Sequence, residues 1–221
     1  MLTAMARPAL VIMARYPEIG QVKTRLGQAI GSERACELYR AFLTDLDARF
    51  ANRTRQLVWA YHPPDHDFAA LVASGSRCEP QVGSTLAERM YNCFRQLCRE
   101  FDRVIMIGAD VPHVRDEWLD EAERALDDAD IVLGPSHDGG YYLIAMRQPH
   151  DVFSGIATST PNVLTDTRRV AAARGLRERL LPSTFDVDGV EDLQQLRMLL
   201  QTDEAMRLPA TAALIKSWSA T

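Results

Sequence analysis

Short unbroken apolar runs alternate along the chain with longer segments whose apolar residues recur every three to four positions. Leu10–Ala14, Leu57–Ala60, Val104–Ile107 and Ile131–Leu133 are runs of the first kind. They are too short for helices, and several are bounded by Gly or Pro, so they read as strands buried on both faces. Further strands are expected over 77–82, at the edge of the sheet, from after Asp138-Gly139-Gly140 through Met146, and over 176–181. The helical period appears first at Leu38, Phe42, Leu46 and Phe50, behind Ser32 as N-cap. Thr85-Leu86-Ala87-Glu88 has the spacing of a capping box, with Leu86, Met90, Cys93, Leu97 and Phe101 as the inward stripe. Asp116 precedes Leu119, Ala122 and Leu126, and Thr160-Pro161 predicts a helix with Thr160 at the N-cap. Leu193, Leu196 and Leu200 mark one more helix, and 209–218 the last; a short helix is also expected over 67–73. Strands alternating with helices predict an α/β fold, a three-layer α/β/α sandwich on a mainly parallel sheet.

Length and charge narrow the picture. With 221 residues and 47% apolar content, the chain is long enough for one domain spanning 1–221 with a full core. A formal net charge of -5 argues against broad nucleic-acid binding. The four cysteines (36, 78, 93 and 98) show neither a Cys-x-x-Cys pair nor zinc-ligand spacing, so they read as reduced thiols. The apolar run after Arg7 is too short for a signal-peptide core, and no run approaches the roughly 20 residues of a membrane span. A cytoplasmic protein is the expectation.

Three places carry chemistry. The loop after the first strand, Arg15 to Leu26, holds Pro17, Gly20, Arg15, Lys23 and Arg25. Cations in that position suit a phosphate cradle, with Lys23 as a point charge and Arg25 as a fork. It is neither a Walker loop, since Val22 stands before Lys23, nor a dinucleotide fingerprint, since Gly20 stands alone. Asp110 follows the central strand through Gly108-Ala109, where ligands sit in open parallel sheets. Asp188 precedes the helix of Leu193. Two carboxylates and two cations are what a Mg²⁺-dependent (or Mn²⁺-dependent) reaction on a nucleotide phosphate requires. Gly139 and Gly140 permit a close backbone approach by a ligand or simply close a hairpin. His113 and His137 lie near these loops and are candidates for a general base. No Gly-x-Ser-x-Gly elbow or Ser-His-Asp order is present.

The same residues carry a resemblance. Ala14-Arg15-Tyr16-Pro17…Gly20…Val22-Lys23-Thr24-Arg25-Leu26, Ile107-Gly108-Ala109-Asp110-Val111-Pro112, Gly134-Pro135…Asp138-Gly139-Gly140-Tyr141-Tyr142-Leu143, Ser159-Thr160-Pro161 and Asp186-Val187-Asp188 occur in this order. Together they resemble a bacterial family of the glycosyltransferase-A superfamily, long classed as a domain of unknown function. Its members are often labelled as glycosyltransferases of arsenosugar or radical-SAM/selenodomain gene clusters. The order is similar, more distantly, to 2-phospholactate and molybdenum-cofactor guanylyltransferases. The resemblance covers about 10–193, leaving 194–221 as a helical extension. It implies a nucleotide-diphospho-sugar transferase (GT-A) fold, phosphate contacts and catalysis by Lys23 and Arg25 with Asp110, and metal ligation by Asp110, with Asp188 able to hold a second metal position. It further implies substrate contacts at Arg15, Gly20 and Thr24, at Asp138, Gly139, Gly140 and Tyr141, and at Ser159 and Thr160. Gly189-Val190 departs from the Thr-Pro that relatives carry after the second Asp. The expected partners are a nucleotide or nucleotide-sugar and a small-molecule acceptor. Glycosyl transfer is favoured narrowly over nucleotidyl transfer with release of pyrophosphate, and a catalytically silent nucleotide-binding module is the reading of a different class.

Overall fold

The apolar runs assemble into one seven-stranded sheet. A computed structural model describes residues 7–51, 54–73, 75–158 and 160–218. The strands are β1 (Ala9–Arg15), β2 (Gln56–His62), β3 (Arg77–Pro80), β4 (Val104–Gly108), β5 (Ile131–Pro135), β6 (Tyr141–Met146) and β7 (Glu178–Leu180). The helices are α1 (Thr24–Ile30), α2 (Ser32–Phe50), α3 (Leu86–Leu97), α4 (Asp116–Ala125), α5 (Val163–Ala173), α6 (Val190–Leu199) and α7 (Pro209–Trp218). The strand order is β3-β2-β1-β4-β6-β5-β7, and every neighbouring pair is parallel except those made by β6.

The unbroken apolar runs are explained by the layers. Leu10, Ile12, Trp59, Ile105 and Ile107 face a cluster built with α1, α2, α4, α6 and α7, while Val11, Val58, Val104 and Met106 face one built with α3 and α5. A strand covered on both sides has no position for a polar residue. Each of the four side chains from Val104 to Ile107 is at most 1% exposed, worth roughly 1.5–3 kcal/mol per side chain in gross burial.

Several expected helix starts move, each for a local reason. Ser32 is the first residue of α2 and caps nothing; Gly31, at φ 91, turns the corner from α1, a conformation that disfavours any side chain. The expected loop through Leu26 is shorter, because Thr24 already opens α1. Thr85 does accept from Glu88 N, but the Glu88 carboxylate reaches back to Ser84 rather than Thr85. Met90, Cys93, Leu97 and Phe101 of the expected stripe of α3 pack on the core together with Phe94, but Leu86 is 41% exposed, because the first turn of α3 overhangs a cleft rather than the sheet. Asp116 does not cap α4, since its carboxylate is taken by Arg49 at 2.9 Å. Thr160 does not cap α5, which begins at Val163 because the β5–β6 turn occupies that place: Leu164 N donates to Gly139 O at 2.9 Å. The 67–73 helix is a single 3₁₀ turn over Phe68–Leu71, and the outer strands are shorter than the expected 77–82 and 176–181. No helix among the described residues is long and apolar enough to cross a membrane.

Candidate active site

The chain passes from β1 to β2 on one side and later places β4 on the other, so a crevice opens between the carboxyl ends of β1 and β4. Four residues singled out from the sequence meet there, from three separate loops. Lys23 sits at φ 47, ψ 43, a left-handed conformation uncommon outside glycine, directly before α1. Its Nζ lies 2.7 Å from Asp188 Oδ1 and 3.5 Å from Asp110 Oδ2, and its side chain is only 5% exposed. Arg25, largely in solvent, closes on the other Asp188 oxygen at 2.6 Å. Asp192 fixes this loop by accepting from Asp188 N and Gly189 N, and Val187 N donates to Asp110 O at 3.0 Å. Asp188 is therefore no helix cap. Its carboxylate is free to face the cations because Asp192 does the capping.

A fifth residue, Asp186, joins them and was not singled out from the sequence. Its signal was the spacing: two aspartates two apart flank the buried Val187, and a tight turn in which Asp188 N donates to Asp186 O at 3.1 Å joins them. Ser136 Oγ donates to Asp186 Oδ2 at 2.6 Å. Burial, then the charge of Asp110, pushes the Asp186 carboxyl up to about 7 against the opposing Ser136 hydroxyl, and Asp138 and Asp188 add to the rise. Burial also works against the charge on Lys23, but Asp110 and Asp188 outweigh it and hold the ammonium above its ordinary range. For Asp188, burial is outweighed by Lys23 and Arg25, and the carboxyl is held below the usual carboxylate range. Negative charge is in surplus, and one buried ammonium stands between two carboxylates.

The cleft holds about 270 Å³ and is walled on its other side by residues that sequence pattern did not mark for a site: Tyr39, His62, Gln81, Leu86 and Arg89. Arg15, at its edge, is held by its backbone N–H, which donates to the Tyr39 hydroxyl at 2.9 Å. The remaining residues singled out from the sequence stand elsewhere. Gly20 lies in the exposed loop before Lys23, and Thr24 is the exposed first residue of α1; neither is among the lining residues. Asp138, Gly139 and Gly140 close the β5–β6 hairpin, with Gly140 N donating to Asp138 Oδ1 at 2.9 Å. A Cβ on Gly139 would run into the Pro161 carbonyl, so the close approach that requires glycine there is made by the chain's own backbone and not by a ligand. Asp138 touches the acidic group only through its charge. Tyr141 packs into the cluster on the opposite face of the sheet, and Thr160 Oγ1 donates to Ala157 O. Ser159 lies outside the described residues.

The two histidines considered as bases divide. His137 is exposed on the hairpin turn. His113 is 3% exposed, with its ring stacked on Phe185 and its Nε2 3.1 Å from Thr184 Oγ1. Burial, then Arg49 and Arg115, drives its pKa down to about 4, and it lines no part of the cleft. It is a neutral core histidine and not a general base.

The profile of a family described as "Uncharacterized protein conserved in bacteria (DUF2064)" matches residues 34–160. A protein from Desulfovibrio desulfuricans G20, provisionally named a nucleotide-diphospho-sugar transferase, is 33% identical; the match covers 98% of this chain and 96% of that one, with a TM-score of 0.90. The fold is shared at lower similarity with a 4-diphosphocytidyl-2C-methyl-D-erythritol synthase from Anaerococcus prevotii DSM 20548 (12% identity, 89% and 99% coverage, TM-score 0.59). It is shared also with a CMP:2-keto-3-deoxy-manno-octonic acid synthetase complexed with CTP (16% identity, 89% and 99% coverage, TM-score 0.53). No curated protein matches the chain at a significant level.

Proposed function

This chain belongs to the DUF2064 family of bacterial proteins, and from that membership and the geometry of the cleft we propose that it is a transferase with a nucleotide-phosphate donor, a nucleotide-diphospho-sugar in the first instance. One observation carries the reading. Lys23, Arg25, Asp110 and Asp188 converge at the crevice between β1 and β4, with an ammonium between two carboxylates at 2.7 and 3.5 Å. The lean to glycosyl transfer rests on the 33% identical Desulfovibrio relative. Nucleotidyl transfer is the second reading. Its support is that Arg15, Lys23 and Arg89 all line the cleft, enough cations for a longer phosphate chain.

A divalent cation suits the donor set. Among the described residues no three His, Cys, Asp or Glu side chains are grouped as a closed metal cage. Mg²⁺, however, is held typically by one or two carboxylates and completed by substrate phosphates and water. Asp110 and Asp188 would hold it, and the crowding of these carboxylates around Asp186, which burial first and then the charge of Asp110 lift, is the electrostatic reason a cation is welcome. Such an ion supplies Lewis-acid neutralisation of phosphate oxygens. The chain's own groups do the rest. Lys23 and Arg25, now neutralised by Asp188, exchange that partner for the donor's phosphates and stabilise the charge that develops on the leaving nucleoside diphosphate or pyrophosphate. Asp192, holding the loop of Asp188 by two backbone N–H groups, keeps the site in register while the cations swing.

The test is a thermal-shift panel of nucleoside di- and triphosphates and nucleotide-sugars, each with and without Mg²⁺. A ligand at about 100 times its dissociation constant stabilises the native state by roughly 2.7 kcal/mol. Asp110→Asn is expected to keep the unliganded melting temperature and lose the Mg²⁺-dependent part of the shift, since Asn retains the shape without the charge. If no nucleotide shifts the wild type, or Asp110→Asn shifts fully, the reading is wrong. Release of nucleoside diphosphate or of pyrophosphate then separates the two chemistries.

A further inference from the structure

On the β2 side of the cleft the charge reverses. Arg15 leaves the end of β1, His62 ends β2, and Arg89 reaches in from the first turns of α3; all three line the same cleft as Lys23 and Asp110. The partly buried arginines other than Arg89 meet carboxylates, Arg49 with Asp116, Arg55 with Asp120 and Arg77 with Glu100, and Arg15 is exposed at the edge of the cleft. Arg15 and Arg89 meet no carboxylate among the described residues. Arg15 gives one long hydrogen bond, 3.4 Å to Gln21 Oε1, and Arg89 Nε is buried with no partner at all. The groups also repel one another. Burial and the charge of Arg15 depress the Arg89 guanidinium, and burial, Arg89 and Arg15 in that order depress His62 despite a small opposing pull from Asp65.

Like charges gathered on one wall of the cleft, with a buried donor left unpaired, are unfavourable in the empty protein. An anion reverses each of those terms at once, and two guanidinium forks suit the oxygens of a dianion better than any other ligand. The geometry points to an anion subsite in which Arg15 and Arg89, with His62 at the edge, hold a phosphoryl or carboxylate dianion of the substrate. The inference deepens the proposed transferase function, on which the word substrate rests. The anion has two possible sources in that reaction: the donor's phosphate chain, or an acidic group on the acceptor. Either source makes the ligand bipolar in its demands, anionic at Arg89 and met by cations and carboxylates at Lys23.

Inorganic pyrophosphate, titrated calorimetrically at low salt, is the probe. Arg15→Gln and Arg89→Gln are each expected to weaken it by about tenfold or more, the loss of one charge-assisted fork. Arg89→Lys keeps the charge and is expected to fall between, and it decides the matter should Arg89→Gln fail to fold. Arg95→Gln, an equal charge change on the exposed side of α3, is expected to stay within about twofold of wild type. Pyrophosphate binding in the presence of saturating CTP assigns the source. Displacement places the donor's phosphates at Arg89, and simultaneous binding places an acceptor's acidic group there. The subsite is overturned if wild type does not bind pyrophosphate, if both Gln variants bind it normally, or if Arg95→Gln loses as much. If CTP and every other nucleotide fail to bind while Arg89→Gln still loses pyrophosphate, the subsite stands and the nucleotide reading falls.

Discussion

Two groups of aspartates in this protein, one buried on α2 and one half-buried in the cleft, behave in opposite ways. On α2, Asp45 accepts from Ala210 N, Thr211 N and Thr211 Oγ1 at 2.6–2.9 Å, and Asp47 accepts from Trp59 Nε1, Ala73 N and Ser76 Oγ at 2.7–3.1 Å. Nearly all their partners are fixed: backbone N–H groups, an indole, hydroxyls. In the cleft, Asp110, Asp186 and Asp188 face one another and two long, rotatable cations. A carboxylate satisfied by fixed donors is a staple, and here Asp45 pins the start of α7 onto α2. A carboxylate satisfied by side chains that can leave is a site held ready for exchange. The first kind contributes order, and the second accepts poor electrostatics in the empty state.

The largest effect separates the two groups by stability. Asp45→Ala leaves three donors at the α7 N-terminus without an acceptor, at about 1–3 kcal/mol for each buried group that cannot find water. A total loss of roughly 3–5 kcal/mol is expected in urea unfolding, with pyrophosphate affinity of the folded protein unchanged. A loss below about 1 kcal/mol would mean that α7 is not pinned by this carboxylate.

Next in size is an acid transition at the boundary between the regions. Arg49 of α2 donates to Pro112 O and Val114 O on either side of His113, below the loop that carries Asp110. The folded pKa of His113 is depressed to about 4 from an ordinary 6.5. Its neutral form is the one that packs, so the stability is fully present above pH 6.5 and drains away as pH falls through 4. Between pH 7.5 and 4.5 the unfolded chain takes up the proton first, costing roughly 2–3 kcal/mol. His113→Gln is expected to be less stable at pH 7.5 and to lose that much less on acidification. Equal acid slopes for the two proteins would show that His113 titrates normally.

What could be read from the sequence divides along the same line. Strands such as Val104–Ile107 were legible because burial on both faces leaves an unbroken apolar run, and its shortness and the Gly and Pro that follow set it apart from a buried helix. Lys23, Arg25, Asp110 and Asp188 were legible because each sits just past an apolar run or in a loop with Gly or Pro, where a charge has no structural excuse. Arg89 was not. On α3 it looks like one more polar residue of an amphipathic helix, and only the position of that first turn over the cleft turns it inward. Asp186 was hidden in the same way, since whether it meets Ser136 or water depends on the β5–β7 packing. The helix start at Ser32 failed because its neighbour Gly31 turns the corner instead, and those at Asp116 and Thr160 failed because tertiary partners (Arg49, the β5–β6 turn) overrode local capping chemistry.

The smallest effect is the most diagnostic. Asp186→Asn keeps an oxygen for the Ser136 hydroxyl, 2.6 Å away in the native protein, and removes one member of the crowded group. At pH 8, where the native carboxyl is ionised, the repulsion from Asp110 and Asp188 disappears with it. Lys23 and Arg25 already offset part of that repulsion, so the gain is expected to be modest, roughly 1 kcal/mol. Urea unfolding of the two proteins at pH 8 measures it, and the Mg²⁺-dependent nucleotide shift measured beside it is expected to weaken. Removing a charge would then raise stability and lower binding together, the reverse of Asp45→Ala. Should Asp186→Asn instead cost several kcal/mol, Asp186 belongs with Asp45 and Asp47 as a staple, and Asp110 and Asp188 are left balanced by Lys23 and Arg25.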